Sequence, residues 1–350
     1  MGSAPEALQA PAKRGYLMPP EWAPHRATWI AWPHEKSDWP GRFEPIPWAY
    51  GEIARVLSRR ERVCILVRDA ALERRAKGVL KKVGVDPRKV DFFRIPTDRA
   101  WTRDSGAIFV RNPAGEKIAT HWKFNGWAKY PDHKKDDEVA GRIARALRMP
   151  EHRVVDGGRE IVMEGGAIDV DGKGTLLCTE ECLLSGVQAR NPGLGRSGIE
   201  RAFADVLGIK RVVWLGKGIA GDDTHGHVDD LARFVAPGRV LLCEETDPKD
   251  GNHAILRENR ERLEAARVEV IPLPMPSPIV FDGTRVPASY ANFYIANGVV
   301  IVPTFNDPQD RRALGLIAEC FPGREVVGIH CVDFVWGLGT LHCATQQEPA

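Results

Sequence analysis

The sequence lacks an excess of charge of one sign, long apolar runs and a signal-like N-terminus. Lys and Arg number 49 against 47 Asp and Glu in 350 residues, so the net charge of +2 does not supply the field of a nucleic-acid or membrane-surface binder. No segment approaches the ~18 to 20 consecutive apolar residues of a membrane span, and the N-terminus has no signal-peptide stretch. We therefore expect a soluble, cytoplasmic protein that binds neither nucleic acid nor membrane.

The sequence also lacks paired cysteine motifs. Its seven cysteines are an odd number spread through a long chain, which does not predict a disulfide framework. Cys178 and Cys182 form one close pair, but no second pair and no nearby histidine completes a zinc site. The Ala- and Pro-rich residues 1–14 show no periodicity, so we expect a flexible tail there and a single domain over residues 15–350.

A repeat of helix, strand and hairpin signals runs through the rest of the chain. Apolar residues three and four apart predict helices that begin near Ala49, Ala71, Asp136, Ser197, His253 and Gln309. Short apolar runs that predict buried strands begin at Val63, Val154, Val212, Val268 and Val326. Paired half-apolar segments around Gly-bearing turns predict hairpins from Ala107, Ala167, Leu231 and Asn292. A period near 60 residues is typical of a radially or linearly repeated fold.

The fifth hairpin is missing unless the two ends of the chain form it. The segment from Leu341 would then pair with the segment from Ala27. Such a pairing closes a ring and leaves no bare strand edges. We therefore predict a five-bladed, pseudo-symmetric α/β propeller of repeated ββαβ modules.

Ionisable residues occur in phase with this repeat. Asp104, Glu164 and the pair His227 and Asp229 lie just before the first hairpin strand of successive modules, with spacings of 60 residues from Asp104 to Glu164 and 63 from Glu164 to His227. Equivalent residues of a ring converge on its axis, and Cys343 belongs to the last module. Each residue alone has an ordinary structural interpretation as a loop ion pair, a turn cap or a chance motif. Their common phase favours one pocket with three carboxylates, a histidine and a thiol.

A guanidinium ion suits such a pocket. Confined carboxylates repel one another unless a cation neutralises them, and a planar guanidinium donates two N–H groups to each of two carboxylates. A metal ion is the rival, although a thiol beside hard oxygen ligands suits neither magnesium nor calcium and the spacings match no common zinc signature. With the guanidinium held by Asp104 and Asp229, Cys343 would attack its carbon. His227 would act as general acid and then base, oriented by Glu164.

Seven segments give the sequence a resemblance to a known family. They are MPPEWAPHRATWIAWPH, WTRDSGAIFV, MEGGAIDV, TEECLLS, GDDTHGHVDDLARFV, SYANFYIANGVVIVPTF and GLGTLHCATQQEP. Together they resemble the agmatine deiminase family of the guanidine-modifying (pentein) superfamily, within the porphyromonas-type peptidyl-arginine deiminases. The resemblance implies a covalent amidino (thiouronium) intermediate on Cys343 and catalytic roles for His227, Asp229, Asp104 and Glu164. It implies conversion of agmatine and water to N-carbamoylputrescine and ammonia, without metal or organic cofactor.

Substrate choice depends on the far end of the pocket. Agmatine ends in a cation and has no carboxylate, so an acidic or neutral pocket is expected. We expect Asp222 and Asp223 to meet the distal ammonium and Trp101 to cover the methylene chain, whereas His225 and His342 are expected to point away. Two alternatives remain open: a deiminase of peptidyl or free arginine, and a non-catalytic polyamine-binding propeller. A homodimer is an expectation from the resemblance.

Overall fold

The computed structural model describes residues 9–350, and the helices there follow the predicted periodicity. The α-helices are α1 (Ile46–Leu57), α2 (Ala70–Lys82), α3 (Thr102–Ser105), α4 (Val139–Leu147), α5 (Glu180–Leu184), α6 (Gly195–Leu207), α7 (Gly251–Ala265) and α8 (Asp310–Cys320). All six predicted helices are present, and α3 and α5 are additional short ones. Asp69 caps α2, because its carboxylate accepts the N–H of Leu72 at 2.8 Å.

Short strands alternate with these helices. They are β1 (His25–Ala31), β2 (Arg62–Leu66), β3 (Val90–Phe93), β4 (Ile108–Arg111), β5 (Lys117–His121), β6 (Glu151–Arg153), β7 (Val155–Asp156), β8 (Arg159–Glu160), β9 (Asp169–Val170), β10 (Thr175–Thr179), β11 (Arg211–Leu215), β12 (Ala232–Ala236), β13 (Arg239–Glu244), β14 (Glu269–Pro274), β15 (Val280–Phe281), β16 (Thr284–Arg285), β17 (Tyr294–Ala296), β18 (Val299–Thr304), β19 (Glu325–His330) and β20 (Gln346–Pro349). The four predicted hairpins are β4–β5, β9–β10, β12–β13 and β17–β18.

Five sheets of this mixed α/β fold share one plan. In each, an antiparallel pair is extended by a third strand parallel to the second, and a helical crossover joins the second and third strands. The sheets are β20-β1-β2-β3, β4-β5-β6, β9-β10-β11, β12-β13-β14 and β17-β18-β19. The predicted repeating unit of hairpin, helix and strand is therefore present.

The first of these sheets contains the first and the last strand of the described chain. Strand β20 runs antiparallel to β1, with Trp29 opposite Gln346 and Thr28 opposite Gln347, and β1 runs parallel to β2. The predicted pairing of the two chain ends is confirmed. This pairing places the turn that carries Cys343 directly before the first strand of a sheet, as in the other modules.

Two expectations differ from the structure. The strand predicted at Val154 is β6, which ends at Arg153, because an edge strand that consists of polar residues has little apolar signal. The tail predicted over residues 1–14 is not a tail throughout, since Pro11–Arg14 forms a 3₁₀ turn and the carbonyl of Pro11 accepts the N–H of Tyr16 at 3.1 Å. Residues 1–8 of that prediction lie outside the described residues.

The apolar residues form two buried clusters beneath the sheets. The larger cluster includes the strands β1, β2, β13, β17 and β18, and the smaller one includes β9, β10 and α6. In each sheet, a polar segment leads directly into the first strand. In residues 9–350, no helix combines the length and apolar character needed to cross a bilayer.

Candidate active site

The five predicted catalytic residues lie at equivalent places of the repeat. Asp104 is in α3 just before β4, and Glu164 precedes the 3₁₀ turn Gly165–Ala167 that leads to β9. His227 caps the 3₁₀ turn Val228–Asp230 before β12, and that turn contains Asp229. Cys343 lies in the turn before β20. Each of these polar side chains therefore lies on the segment just before the first strand of a sheet.

These side chains meet around Gly166. A Cβ on this glycine would lie 2.5 Å from Nδ1 of His227, 2.9 Å from Oδ1 of Asp104 and 3.1 Å from Oδ2 of Asp229. The Gly166 N–H donates to Oδ1 of Asp104 at 3.0 Å. The Sγ atom of Cys343 lies 3.7 Å from Oδ2 of Asp229. The structure therefore brings together residues that are up to 239 positions apart in sequence.

The sequence analysis missed Asn292, which holds the thiol. Its side-chain amide donates to Sγ of Cys343 at 3.2 Å and to Oδ1 of Asp230 at 3.0 Å. Its Oδ1 accepts the hydroxyl of Thr340 at 2.7 Å. Asn292 lies 62 residues after Asp230 and just before β17, so it occupies the corresponding place in the fourth module. The same periodicity that selected the other residues predicts this one.

His227 is buried among carboxylates. Its Nδ1 lies 3.8 Å from Oδ1 of Asp104 and 4.0 Å from Oδ1 of Asp229, and its Nε2 lies 3.7 Å from Oε2 of Glu164. These are ion-pair distances, longer than hydrogen bonds. Among the described residues, neither ring nitrogen has a hydrogen-bond partner. Burial alone would lower the pKa of His227, but Asp104 and the contacts with Cys182 and Glu164 raise it well above the ordinary value of 6.5. The ring is therefore an imidazolium at neutral pH.

Arg190, which the sequence analysis also missed, fixes Glu164. Its Nε donates to Oε1 of Glu164 at 3.0 Å, and both side chains are fully buried. Two further N–H groups of Arg190 donate to the carbonyls of Gln188 and Thr224. Burial would raise the pKa of Glu164, but the charges of Arg190 and His227 lower it to about 2. Glu164 is therefore an anion that faces His227.

The thiol of Cys343 lies in a strongly negative environment. Burial and the carboxylates of Asp229, Asp230 and Asp104 raise its pKa well above the ordinary value, and the Asn292 amide opposes them. Burial also raises the pKa of Asp104, together with the nearby Asp229. In the absence of a cation, the sulfur therefore carries its proton at neutral pH.

His342 contacts the site, contrary to the expectation that it points away. Its Nδ1 faces Oδ2 of Asp229 at 2.6 Å and its Nε2 faces Oε2 of Glu21 at 2.7 Å. Both ring nitrogens therefore lie within hydrogen-bond distance of a carboxylate. His342 lies in a turn, where the alternation of a strand does not apply. Glu21 also binds Arg103 and Arg233, and so links the N-terminal segment to the site.

The side chain of His225 contacts Ser185 and not the site, as expected. Its Nε2 contacts the hydroxyl of Ser185 at 3.1 Å, and its backbone is left-handed with φ of 65°.

A cavity of about 320 Å³ leads from solvent to the thiol. Asp104 and Cys343 lie at its inner end, and the rings of Trp101 and Trp127 form walls. Trp101 packs on Trp39 with ring centroids 5.3 Å apart, and Nε1 of Trp127 donates to Oδ2 of Asp104 at 2.9 Å. The predicted place of Trp101 beside the pocket agrees with the structure, whereas Trp127 was not predicted.

The two aspartates predicted for the distal end have different surroundings. Asp223 lines the cavity. Asp222 does not line it, because its carboxylate accepts the N–H groups of Thr224, Gly226 and His227 within its own loop. The structure therefore does not place Asp222 beside the cavity, where the prediction expects it. It is a loop-forming residue that sets the position of His227.

Two clusters in the site contain metal-ligating atom types. One is Glu164, Cys182 and His227, and the other is Asp229, Asp230 and Cys343, with the ligand atoms of each cluster within 4.8 Å of one another. In the first, the guanidinium of Arg190 already neutralises Glu164. In the second, the amide of Asn292 donates between Asp230 and the sulfur. In each cluster, a donor group of the protein therefore already contacts one of the members.

Comparison with known proteins agrees with this geometry. The sequence profile of the Porphyromonas-type peptidyl-arginine deiminase family matches residues 17–349. The chain belongs to this family. An agmatine deiminase of Pseudomonas aeruginosa is 34% identical and aligns over 97% of both chains. The structure of an agmatine deiminase of Enterococcus faecalis matches with a TM-score of 0.89 at 32% identity, over 97% of this chain and 98% of the other.

A second solved relative has substrate bound. The substrate-bound agmatine deiminase of C. jejuni matches with a TM-score of 0.86 at 29% identity, over 96% of each chain. This member of the family therefore shares its mixed α/β fold with structures of agmatine deiminases.

Proposed function

We propose that this protein is an agmatine deiminase, which hydrolyses agmatine to N-carbamoylputrescine and ammonia. One observation carries the proposal: His227, Asp104 and Asp229 converge on one point at Gly166, and the thiol of Cys343 lies beside Asp229 at the inner end of a cavity. The names of its relatives support the same activity.

The guanidinium binds between Asp104 and Asp229. The Oδ1 atom of Asp229 is buried and has no hydrogen-bond partner among the described residues, and Oε2 of Glu164 is in the same condition. A buried acceptor without a donor is costly, and charge-assisted N–H groups satisfy it. The planar cation therefore supplies donors where this site has acceptors.

Binding of the cation also activates the nucleophile. Without it, the carboxylates keep the pKa of Cys343 high. A positive charge against Asp104 and Asp229 offsets that effect, so the thiol releases its proton to solvent through the cavity when substrate is present. The thiolate then forms a bond with the guanidinium carbon.

His227 completes the two halves of the reaction. As an imidazolium it gives a proton to the departing nitrogen, the C–N bond breaks and ammonia leaves the thiouronium. The neutral ring then takes a proton from water, whose oxygen attacks the same carbon. The C–S bond breaks, the added hydroxyl releases its proton to solvent, and the neutral carbamoyl product leaves with the thiolate restored. Glu164, held by Arg190, keeps His227 charged and oriented.

The two alternative functions require different groups in the cavity. A deiminase of free arginine needs an unpaired cation for the substrate carboxylate, but the terminal nitrogens of Arg99, which lines the cavity, are bound to Asp38 and Asp132. A non-catalytic polyamine-binding protein has no need of Cys343 in contact with Asn292 and Asp229.

We also propose the finer architecture and assembly. The five sheets of one plan, with the chain ends paired in one of them, support a five-bladed propeller. Since the modules jointly supply the site, residues 15–350 act as one catalytic domain. A homodimer stays a prediction, which light scattering coupled to size-exclusion chromatography tests.

A product assay with three substrates tests the function. The purified protein is incubated with agmatine, free arginine and a blocked peptidyl arginine, and N-carbamoylputrescine, citrulline and ammonia are measured. We expect turnover with agmatine to dominate. Faster citrulline formation from either arginine substrate would favour that deiminase instead, and no turnover of any substrate would favour the binding protein.

A further inference from the structure

The outer end of the cavity contains a buried acidic residue, Asp38, that is not part of the seven sequence segments quoted above. We define the outer end as Asp38, Arg99, Tyr130 and Asp223, all of which line the cavity. Two solvent-exposed charges attach to it, since Lys129 pairs with Asp223 and Asp132 pairs with Arg99. The distal part of an extended substrate reaches this end past the Trp101 and Trp127 walls.

Each oxygen of the Asp223 carboxylate already accepts a hydrogen bond. Its Oδ1 accepts from the ammonium of Lys129, and its Oδ2 accepts from the hydroxyl of Tyr130 at 2.7 Å. An incoming ammonium at Asp223 would therefore face the charge of Lys129 and compete with two existing donors. Asp223 is a poor acceptor for a cationic tail in this arrangement.

The two terminal nitrogens of Arg99 are engaged as well, whereas its buried Nε has no hydrogen-bond partner among the described residues. Its Nη1 donates to Oδ1 of Asp38, and its Nη2 donates to both carboxylate oxygens of Asp132 at 3.1 Å. The guanidinium also lies over the ring of Tyr130, 4.3 Å from the ring centroid. Its charge is thus balanced by the protein, which leaves little attraction for a substrate carboxylate.

Of the two carboxylates at this end, Asp38 differs from Asp223 because one of its oxygens has no hydrogen-bond partner among the described residues. The side chain is 1% exposed, and Oδ2 has no hydrogen-bond partner among residues 9–350. Burial raises the pKa of Asp38 to about 7 despite the opposing charge of Arg99. A buried carboxylate oxygen without a donor is costly, and an ammonium donor relieves that cost.

Asp38 is held rigidly at this place. It ends the 3₁₀ turn Lys36–Asp38, which Glu35 caps by accepting the N–H of Ser37 at 3.0 Å. The next residue, Trp39, donates from its indole to the carbonyl of Phe334 at 2.8 Å and packs on Trp101. Asp38 therefore belongs to a fixed element of the cavity wall.

We propose that Asp38 accepts the distal ammonium of the substrate and selects linear guanidines with a cationic tail. This inference rests on the proposed deiminase function. It assigns the specificity contact to Asp38, whereas the sequence analysis assigned it to Asp222 and Asp223.

Steady-state kinetics with two substrates tests the proposal. Agmatine is compared with pentylguanidine, in which a methyl group replaces the ammonium. In Asp38→Asn we expect kcat/KM for agmatine to fall about 10- to 100-fold, mainly through KM, because a hydrogen bond to a charged group is lost. The low kcat/KM for pentylguanidine should stay within about twofold of wild type.

Three further variants make the result specific. Asp38→Glu keeps the charge and should keep the preference for agmatine. Asp132→Asn removes an acidic partner of Arg99 that does not line the cavity, and should change the preference little. In Asp223→Asn we expect a smaller loss of preference than in Asp38→Asn.

The outcomes separate the inference from the function on which it rests. Equal losses for both substrates in Asp38→Asn, or a selective loss in Asp223→Asn alone, would overturn the role of Asp38 while leaving the deiminase assignment intact. Absence of agmatine turnover by the wild-type protein would reject the function, and the inference with it. Melting temperatures of all variants show whether a loss reflects unfolding.

Discussion

Replacement of Arg190 by methionine should destabilise the protein strongly, because it leaves the buried carboxylate of Glu164 without its cationic partner. Arg190 and Glu164 are fully buried, and the charge of Arg190 is a principal reason why the pKa of Glu164 falls from 4.5 to about 2. A shift of that size corresponds to roughly 3 kcal/mol of stability at neutral pH. Removing one partner of a buried pair typically costs about 3 to 5 kcal/mol. We expect Arg190→Met to lose this amount at pH 7.

The pH dependence of this loss has a definite sign. A carboxyl with a lowered folded-state pKa contributes stability above its unfolded pKa of 4.5, and the contribution is lost as the pH falls towards 2. In Arg190→Met, burial without compensation raises the pKa of Glu164, so the folded variant binds a proton more readily. The difference between wild type and variant should therefore narrow as the pH falls from ~7 to ~4.

Urea unfolding followed by tryptophan fluorescence measures both effects. The double variant Glu164→Gln/Arg190→Met removes both charges and should recover most of the stability. Arg142→Met, which breaks an exposed pair with Glu138, should cost no more than about 1 kcal/mol. The reasoning would be refuted if Arg190→Met were as mild as Arg142→Met, or if the double variant were no more stable than the single one.

Three other substitutions probe the centre of the site. Cys343→Ala should abolish turnover yet bind agmatine in calorimetry, and residual turnover near the wild-type rate would disprove the nucleophile. Gly166→Ala should lower kcat/KM at least about 100-fold, since its methyl group displaces His227 and Asp104, whereas Gly78→Ala, with no atom within 4 Å of the new Cβ, should leave kcat/KM unchanged. His227 has a raised pKa, so its stability contribution is complete below pH 6.5 and is lost as pH rises through the folded-state value. The alkaline loss of stability should be smaller in His227→Gln, and an unchanged profile would contradict the charged ring.

Periodicity predicted the elements and the convergence of distant side chains. Asp104, Glu164 and Asp229 share a place in successive modules, and the folded chain brings that place to one centre. Asn292 has the same phase, so its place in the site could have been predicted from the sequence. An amide before a hairpin is, however, a weaker indication of catalysis than a carboxylate or a thiol.

Residues outside the repeat could not be predicted in this way. Arg190 and Glu21 reach the site from connecting segments, and their partners depend on how the modules pack. Asp38 gains its importance from a free oxygen, which depends on the positions of all its neighbours. The loop-forming role of Asp222 could have been predicted, because Asp followed two residues later by Thr favours a turn closed by the aspartate itself.

The account depends most on bond formation between Cys343 and the guanidinium carbon. Rapid acid quenching of the protein during turnover of agmatine, followed by digestion and mass spectrometry, measures this directly. We predict that the peptide containing Cys343 gains the mass of agmatine less one ammonia. Turnover with no such adduct on any time scale of the quench, or an adduct on a different residue, would contradict it.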